Sequence, residues 1–361
     1  MYNKHLLTSL ILLLLQLTAF GQKTNNIDYH DATSFTIVSK IMPTDQPYHR
    51  VDTTKYNSLP PAIKTKLTRS AGIAISFKSN SSSIHAKWCT DSRYSSAGMT
   101  PIAYRGLDLY IKNDGKWQFA SVATPQNGKK CNEDKLIGNL TDQEKEFLLY
   151  LPGYSTIDNL SIGVDNGSQI KKGEYPFTKK ILVYGSSIVQ GAGASRPGMI
   201  YTSRLSRQTG YDFLNLGMSG SAKMEREVAD LVSDIPADAY LLDCIPNSSP
   251  KQVLERTAYL MTSIREKNPN APIIVMQSVI RESSYFDQKL AEKVKEQNKN
   301  IYKEFFKQHK QGMENIYFIF ADKLLGDDHE GTVDGTHPND LGFDRMIQII
   351  QPQIVEILNK Q

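Results

Sequence analysis

Four short stretches of this chain hold residue types that can carry out acyl transfer. A pair of serines, Ser186 and Ser187, stands in "VYGSSIVQGAG" between glycines, where an apolar run stops and polar sequence begins. A serine hydroxyl acts as a nucleophile when a base takes its proton and nearby donors hold the charge that develops on the attacked carbonyl. "TVDGTHPNDLGF" offers the base. Its Asp334 and His337 are three residues apart, so the carboxylate can fold back onto the imidazole Nδ1–H and leave Nε2 free to accept a proton. "NLGMSGSAK" offers backbone N–H donors at Gly217 and Gly220, where a missing side chain lets a ligand approach closely, and "DCIPNSSP" offers the side-chain NH₂ of Asn247. Each stretch alone has a plainer reading: a helix N-cap for the serines, a turn for the glycines, a loop for the asparagine, surface charges for the Asp-His pair. Taken jointly they supply a nucleophile, oxyanion donors, a base and a group to orient it.

The elements that must position them follow from the pattern after Lys179. Apolar runs "KILVYG", "YDFLNLG", "AYLLDCI", "APIIVMQSVI" and "IYFIFA" alternate with helix-like stretches such as "KQVLERTAYLMTSIREKN" and "DQKLAEKVKEQNKNIYKEFFKQ". This alternation predicts a parallel sheet covered by helices on both faces. Ligands of such sheets bind beyond the carboxyl ends of the strands, where the reactive stretches lie. The first loop has neither G-x-G-x-x-G nor a following Lys-Ser/Thr, which excludes a phosphate cradle. Ile188 and Val189 after Ser187 exclude the G-x-S-x-G elbow.

The first half has a different period. From about Asp28 to about Thr178, short apolar or alternating runs, among them "FTIVSKIM", "GIAISFKS", "SSIHAKWC", "EFLLYLP" and "NLSIGV", predict an antiparallel sandwich. Its clearest hairpin runs from Leu107 to Ala120 around Asn113-Asp114-Gly115, a tight-turn sequence.

A length of 361 residues suits two cores, and 40% hydrophobic with 22% charged residues excludes a membrane bundle or a disordered chain. Lys+Arg 42 against Asp+Glu 38, with no block of like charge, gives no nucleic-acid groove or polybasic membrane patch and points to a neutral partner. Residues 1–21 read as a secretory signal: Lys4, an apolar run from Leu6 to about Leu17, and Ala19 and Gly21 before a cut at Gln22. The expected location is therefore the periplasm or the exterior. Cys89, Cys131 and Cys244 read as buried free thiols, with a Cys89–Cys131 pair as the alternative. No metal-ligand spacing of Cys or His occurs.

"YGSSIVQG", "NLGMSG", "DCIPN" and "DGTHPN" resemble, in order and spacing, the four blocks of the SGNH hydrolases, or GDSL-type esterases, over roughly residues 180 to 358. The resemblance implies a flavodoxin-like three-layer α/β domain in which Ser187 is the nucleophile and Asp334 and His337 are acid and base. It places the oxyanion hole at Ser187, Gly220 and Asn247, and requires no metal or organic cofactor. Two positions depart from the family pattern. Gly185-Ser186-Ser187 replaces Gly-Asp-Ser, and Pro246 and Ser248 flank Asn247 where the family has Gly-x-Asn-Asp. Gly106-Leu107-Asp108-Leu109-Tyr110 resembles the G-x-D-L-Y motif of a sandwich domain that precedes some bacterial members. That implies a jelly-roll-like sandwich over residues 22–178 and a hydrolase domain over 179–361.

The implied activity is an exported serine esterase that removes acetyl or other short acyl groups from carbohydrate, with an acetylated oligo- or polysaccharide as partner, no nucleic acid and no membrane insertion. A lipid esterase or thioesterase and a catalytically silent carbohydrate-binding protein are the rivals, and the oligomeric state stays open. The polar or small residues of "QGAGASRPG", "SGSAKMERE", "NSSPKQ" and "GDDHEGTVDGTHPND" favour a hydroxyl-rich leaving group over a lipid chain. Arg196 is expected on the surface, Asp327-Asp328-His329-Glu330 in a solvated loop, and Met199, Ile200 and Tyr201 in helix packing rather than an acyl pocket.

Overall fold

A computed structural model describes residues 26–360; the signal expected over residues 1–21 lies outside the described residues. The strands of the first half are β1 (Ile27–Asp31), β2 (Thr36–Val38), β3 (Ala74–Ser79), β4 (Ile84–Thr90), β5 (Leu107–Asn113), β6 (Lys116–Ala123), β7 (Cys131–Ile137), β8 (Lys145–Tyr150), β9 (Ile157–Asp165) and β10 (Ile170–Lys172). They form two antiparallel sheets, β1-β9-β4-β7 and β10-β3-β8-β5-β6, with β2 added against β3. Period-two alternation explains the core between them. Ile84, Ala86 and Trp88 of β4 point inward while Lys87 faces out. Phe77 and Phe147, paired across β3 and β8, stack at 4.9 Å. The expected hairpin joins β5 to β6, and both turn residues, Asp114 (φ 48°) and Gly115 (φ 75°), take the left-handed conformation such a turn demands.

One expectation is overturned. Cys89 and Cys131 are directly opposed on β4 and β7 and form a disulfide, so only Cys244 is a buried free thiol. A sequence separation of 42 hid a pairing that sheet register makes adjacent. The polar sequence "CNEDKLI" also concealed that β7 is an edge strand.

The second half is a parallel sheet of β11 (Lys180–Gly185), β12 (Asp212–Gly217), β13 (Ala239–Asp243), β14 (Ile273–Met276) and β15 (Ile316–Ile319), in the order β12-β11-β13-β14-β15. All five apolar runs named from the sequence contain these strands. The helices are α1 (Pro61–Leu67) and α2 (Pro101–Arg105) in the first half. The second half has α3 (Ser187–Gln190), α4 (Tyr201–Thr209), α5 (Arg226–Asp234), α6 (Pro250–Lys267), α7 (Gln288–Lys310) and α8 (Asp340–Asn359). On one face of the sheet α4 and α8 pack together, burying Leu205, Phe343 and Ile350 against Phe213 and Ile274. The opposite face carries α5, α6 and α7. Residues 41–67 also reach that face, and their Ile41, Val51, Leu59, Ile63 and Leu67 share its core with Leu214 and Leu242. The first half therefore contributes to both cores. Full burial of each such side chain is worth about 1.5–3 kcal/mol, so this segment is a structural part of the α/β layer.

Candidate active site

At the carboxyl end of β11 the chain turns within one residue. A Cβ on Gly185 would lie 2.3 Å from the Asp243 carbonyl oxygen on the neighbouring strand, so only glycine fits. The two serines that follow are then distinguished by what their hydroxyls do. Ser186 is the N-cap of α3 and its Oγ accepts the Ile188 N–H at 3.2 Å. Ser187 is the first helical residue, is nearly buried, and its Oγ lies 2.9 Å from His337 Nε2. On the far side of the ring, His337 Nδ1 is 2.7 Å from Asp334 Oδ2. Asp334 Oδ1 also accepts the backbone N–H groups of His337 (2.8 Å) and Thr336 (3.0 Å). Burial works to raise the Asp334 pKa, but these donors outweigh it and hold the carboxyl below its ordinary value. An ionised Asp334 keeps the proton on Nδ1 and leaves Nε2 as the acceptor facing Ser187. A short bridge between Thr332 and Pro338 and the Val333 N–H donating to the His337 carbonyl (2.9 Å) fix this turn ahead of α8.

The other two strand-end loops come together beside the serine. Gly217 lets α3 pack onto β12, since a Cβ there would sit 2.2 Å from the Gln190 nitrogen. Gly220 has φ +71°, the left-handed conformation that turns its loop. Oriented by its hydrogen bonds, the Asn247 amide turns its oxygen onto the Gly220 and Ser221 N–H groups, 3.3 Å from each. Its NH₂ is thus the group left for a ligand. Gly220 N–H is shared with Asn247 through a long contact, whereas the sequence suggested an open donor.

Sequence reasoning missed the residues that hold these loops. Gln190 Oε1 accepts the Ser219 N–H (2.9 Å) while its Nε2 donates to the Gly153 carbonyl (3.0 Å), tying the glycine loop to the first half. Tyr154 Oη donates to the Ser187 carbonyl at 3.3 Å. Arg50, fully buried, donates to the carbonyls of Asn215 (2.8 Å), Gly217 (3.0 Å), Lys66 (2.6 Å) and Arg69 (2.8 Å). Asn215 in turn donates to the Val189 carbonyl (2.6 Å) and Thr202 Oγ1 (3.0 Å) and accepts the Gly217 N–H (3.0 Å). A signal existed for Asn215. An amide inside the apolar run "YDFLNLG" has to be satisfied internally, and its partners belong to the site.

Arg196 is not a free surface residue: it is bound to Asp108 and the Tyr110 hydroxyl. Asp328 is held by Arg345 at 2.6 and 2.7 Å, and His329 by Glu282, within a stretch that is exposed as expected of a solvated loop. Ile200 and Tyr201 are buried in the core under α4, with Met199 packed against it, as helix packing requires.

A family model described as GDSL-like lipase/acylhydrolase matches residues 178–355, and one described as the N-terminus of SGNH hydrolase-type esterases matches residues 27–170. Among solved structures, a protein described as a GDSL-like lipase from Bacteroides ovatus ATCC 8483 is 52% identical, with a TM-score of 0.91 over 92% of this chain and 98% of that one. The salicylyl-acyltransferase SsfX3 of a tetracycline biosynthetic pathway shares the fold at 17% identity and TM-score 0.73, over 92% and 97% of the two chains. A family two carbohydrate esterase from Cellvibrio japonicus shares it at 10% identity and TM-score 0.61, over 92% and 98%. No curated protein matches the chain.

Proposed function

The chain belongs to the GDSL-like lipase/acylhydrolase family, and from that premise we propose that it is an exported serine esterase that removes acetyl groups from carbohydrate. The observation that carries the reading is the unbroken line of hydrogen bonds from Ser187 Oγ through His337 to Asp334. In the proposed reaction Ser187 Oγ attacks the ester carbonyl and its proton passes to His337 Nε2, while Asp334 stabilises the imidazolium. The tetrahedral oxyanion is held by the Ser187 N–H at the start of α3, the Asn247 NH₂ and the shared Gly220 N–H. Each donor contributes on the order of 3 kcal/mol of transition-state stabilisation. The C–O bond to the sugar then breaks, its oxygen takes the proton from His337, and the acyl group stays on Ser187. Water, deprotonated by His337, attacks this acyl-enzyme and releases acetate.

Three observations support the substrate class. The loops around Ser187 are rich in polar and small residues, and Ile200 and Tyr201, which follow the nucleophile loop, are consumed by the core. Carbohydrate esterases share the fold of the whole chain, sandwich included. Export is supported by the signal-like residues 1–21 and by the Cys89–Cys131 disulfide, a bond that persists in oxidising compartments.

The test is kcat/KM for an acyl series from acetate to decanoate on one leaving group, followed by acetate release from acetylated oligosaccharides. The expected result is a preference for acetate and release of acetate from at least one glycan. Efficiency that rises with chain length, with no acetate released from any glycan, would favour a lipid esterase.

A further inference from the structure

Three cations surround the loop that carries Asn247. Arg281 Nη2 donates to the Pro246 carbonyl at 2.6 Å, while its Nε is screened from solvent and has no acceptor among the described residues. Lys293 lies on α7 one turn before Gln297, on the same helix face. Gln297 Nε2 donates to the carbonyls of Ile245 (3.1 Å) and Ser248, so that face is turned to the Asn247 loop. Lys223 follows the Gly220-Ser221 turn that the Asn247 amide contacts.

None of these three side chains has a carboxylate partner among the described residues, whereas Arg196, Arg204 and Arg345 are each paired. The nearby Glu225 spends a carboxylate oxygen on the Lys223 backbone N–H (3.1 Å) rather than on its ammonium, and Glu282 is engaged by His329. The Lys293 pKa is lowered first by burial and then by Arg281 and Lys223 acting as like charges. Beyond the glycine loop Arg69 adds a fourth cation without a carboxylate partner among the described residues, 5.3 Å from the ring of Tyr154, whose hydroxyl donates to the Ser187 carbonyl. Like charges gathered without counter-charges are unfavourable in the empty protein and become favourable when an anion enters among them.

We propose that Lys223, Arg281 and Lys293 form an anion-binding subsite beside Asn247, and that the glycan deacetylated here carries a negative charge, a uronosyl carboxylate or a sulfate, near the scissile ester. This rests on the esterase reading above and narrows its substrate. It also replaces the neutral partner expected from net charge: +4 over the whole chain conceals a local cluster.

Binding is read on Ser187→Ala protein, by calorimetry, with an oligogalacturonate, its methyl-esterified neutral counterpart and a sulfated neutral-backbone oligosaccharide. At least one charged ligand is expected to bind about tenfold or more tighter than the neutral one, with the preference shrinking in about 0.5 M salt. The two charged arms distinguish carboxylate from sulfate. Adding Lys223→Gln and Lys293→Gln should remove the preference, while the same two substitutions on active enzyme leave hydrolysis of 4-nitrophenyl acetate unchanged. Equal binding of charged and neutral ligands, or a preference that survives both substitutions, would overturn the subsite. No 4-nitrophenyl acetate hydrolysis by the unsubstituted enzyme would instead count against the esterase reading, so the two failures are separable.

Discussion

Asp108 of the sandwich and Arg196 of the loop that follows Ser187 form an ion pair across the two halves of the molecule. Arg196 Nη1 lies 3.1 and 2.8 Å from the two Asp108 oxygens and 2.6 Å from the Tyr110 hydroxyl, and the Gly198 N–H completes the carboxylate at 2.7 Å. The guanidinium also sits 3.9 Å from the Phe119 ring. The Asp and Tyr of the G-x-D-L-Y motif thus grip a loop whose Gly193 backs onto the turn of His337, a Cβ there lying 2.2 Å from the Pro338 carbonyl oxygen.

Asp108→Asn should leave Arg196 without its counter-charge at similar side-chain volume. Removing one partner of a buried pair costs on the order of 3 kcal/mol. The expected outcome is a lower urea midpoint together with reduced kcat, because the loop behind His337 loosens. An unchanged midpoint would mean the pair does not hold the halves together.

Ser187→Ala is expected to abolish ester hydrolysis without loss of stability, since its hydroxyl serves no cap. Ser186→Ala removes the acceptor of the Ile188 N–H and should cost about 1 kcal/mol of stability while most activity remains. Single-turnover acylation of both variants checks this. An inactive Ser186→Ala with an active Ser187→Ala would reverse the assignment.

Arg50 has a role that only the structure reveals, because its acceptors are carbonyls distant in sequence. Arg50→Met would strand the Asn215 and Gly217 carbonyls in the core at about 1–3 kcal/mol each. Since Gly217 begins the loop that shares Gly220 with Asn247, kcat should fall more than KM rises. Arg50→Lys, which restores one or two donors, should recover part of both stability and kcat. Equal kcat in Arg50→Met, measured on material that folds, would restrict Arg50 to a purely structural role.

The strands of the α/β layer were legible because they are buried on both faces and so read as continuous apolar runs. The Asp334–His337 pair was legible because one short turn holds both partners. Local sequence carries no trace of contacts whose partners are far apart in the chain. Cys131 faces Cys89 only through sheet register, and Arg196 reaches Asp108 across 88 residues. Residues 41–67 belong in part to the parallel-sheet core although they precede most of the sandwich. Ser186 and Ser187 show the limit most directly. Residue type cannot separate them, whereas one bond to the Ile188 N–H and one to His337 Nε2 do.

A final prediction concerns Asp243, a fully buried carboxyl at the end of β13 whose one hydrogen-bonding partner among the described residues is the Tyr201 hydroxyl at 3.0 Å. Burial raises its pKa, the Tyr201 hydrogen bond pulls back only partly, and the group sits at about 7. In the unfolded chain an Asp titrates near the reference value of about 3.9. Between these values the folded state binds the proton that the unfolded state has released, so stability falls as pH rises through the window, and changes no further above it. The loss is on the order of 4 kcal/mol across the window, from about 1.4 kcal/mol per pKa unit. Asp243→Asn removes this titration while keeping an acceptor for Tyr201. Urea unfolding of both proteins at pH 4.5, 6 and 8 should show the variant gaining on the parent steadily, with most of the gain complete by pH 8. Groups far from Asp243, such as Asp328 and Arg345, cancel in that difference. A difference between the two proteins that stays constant from pH 4.5 to 8 would mean that Asp243 titrates near its ordinary value, through solvent or a partner reaching the end of β13.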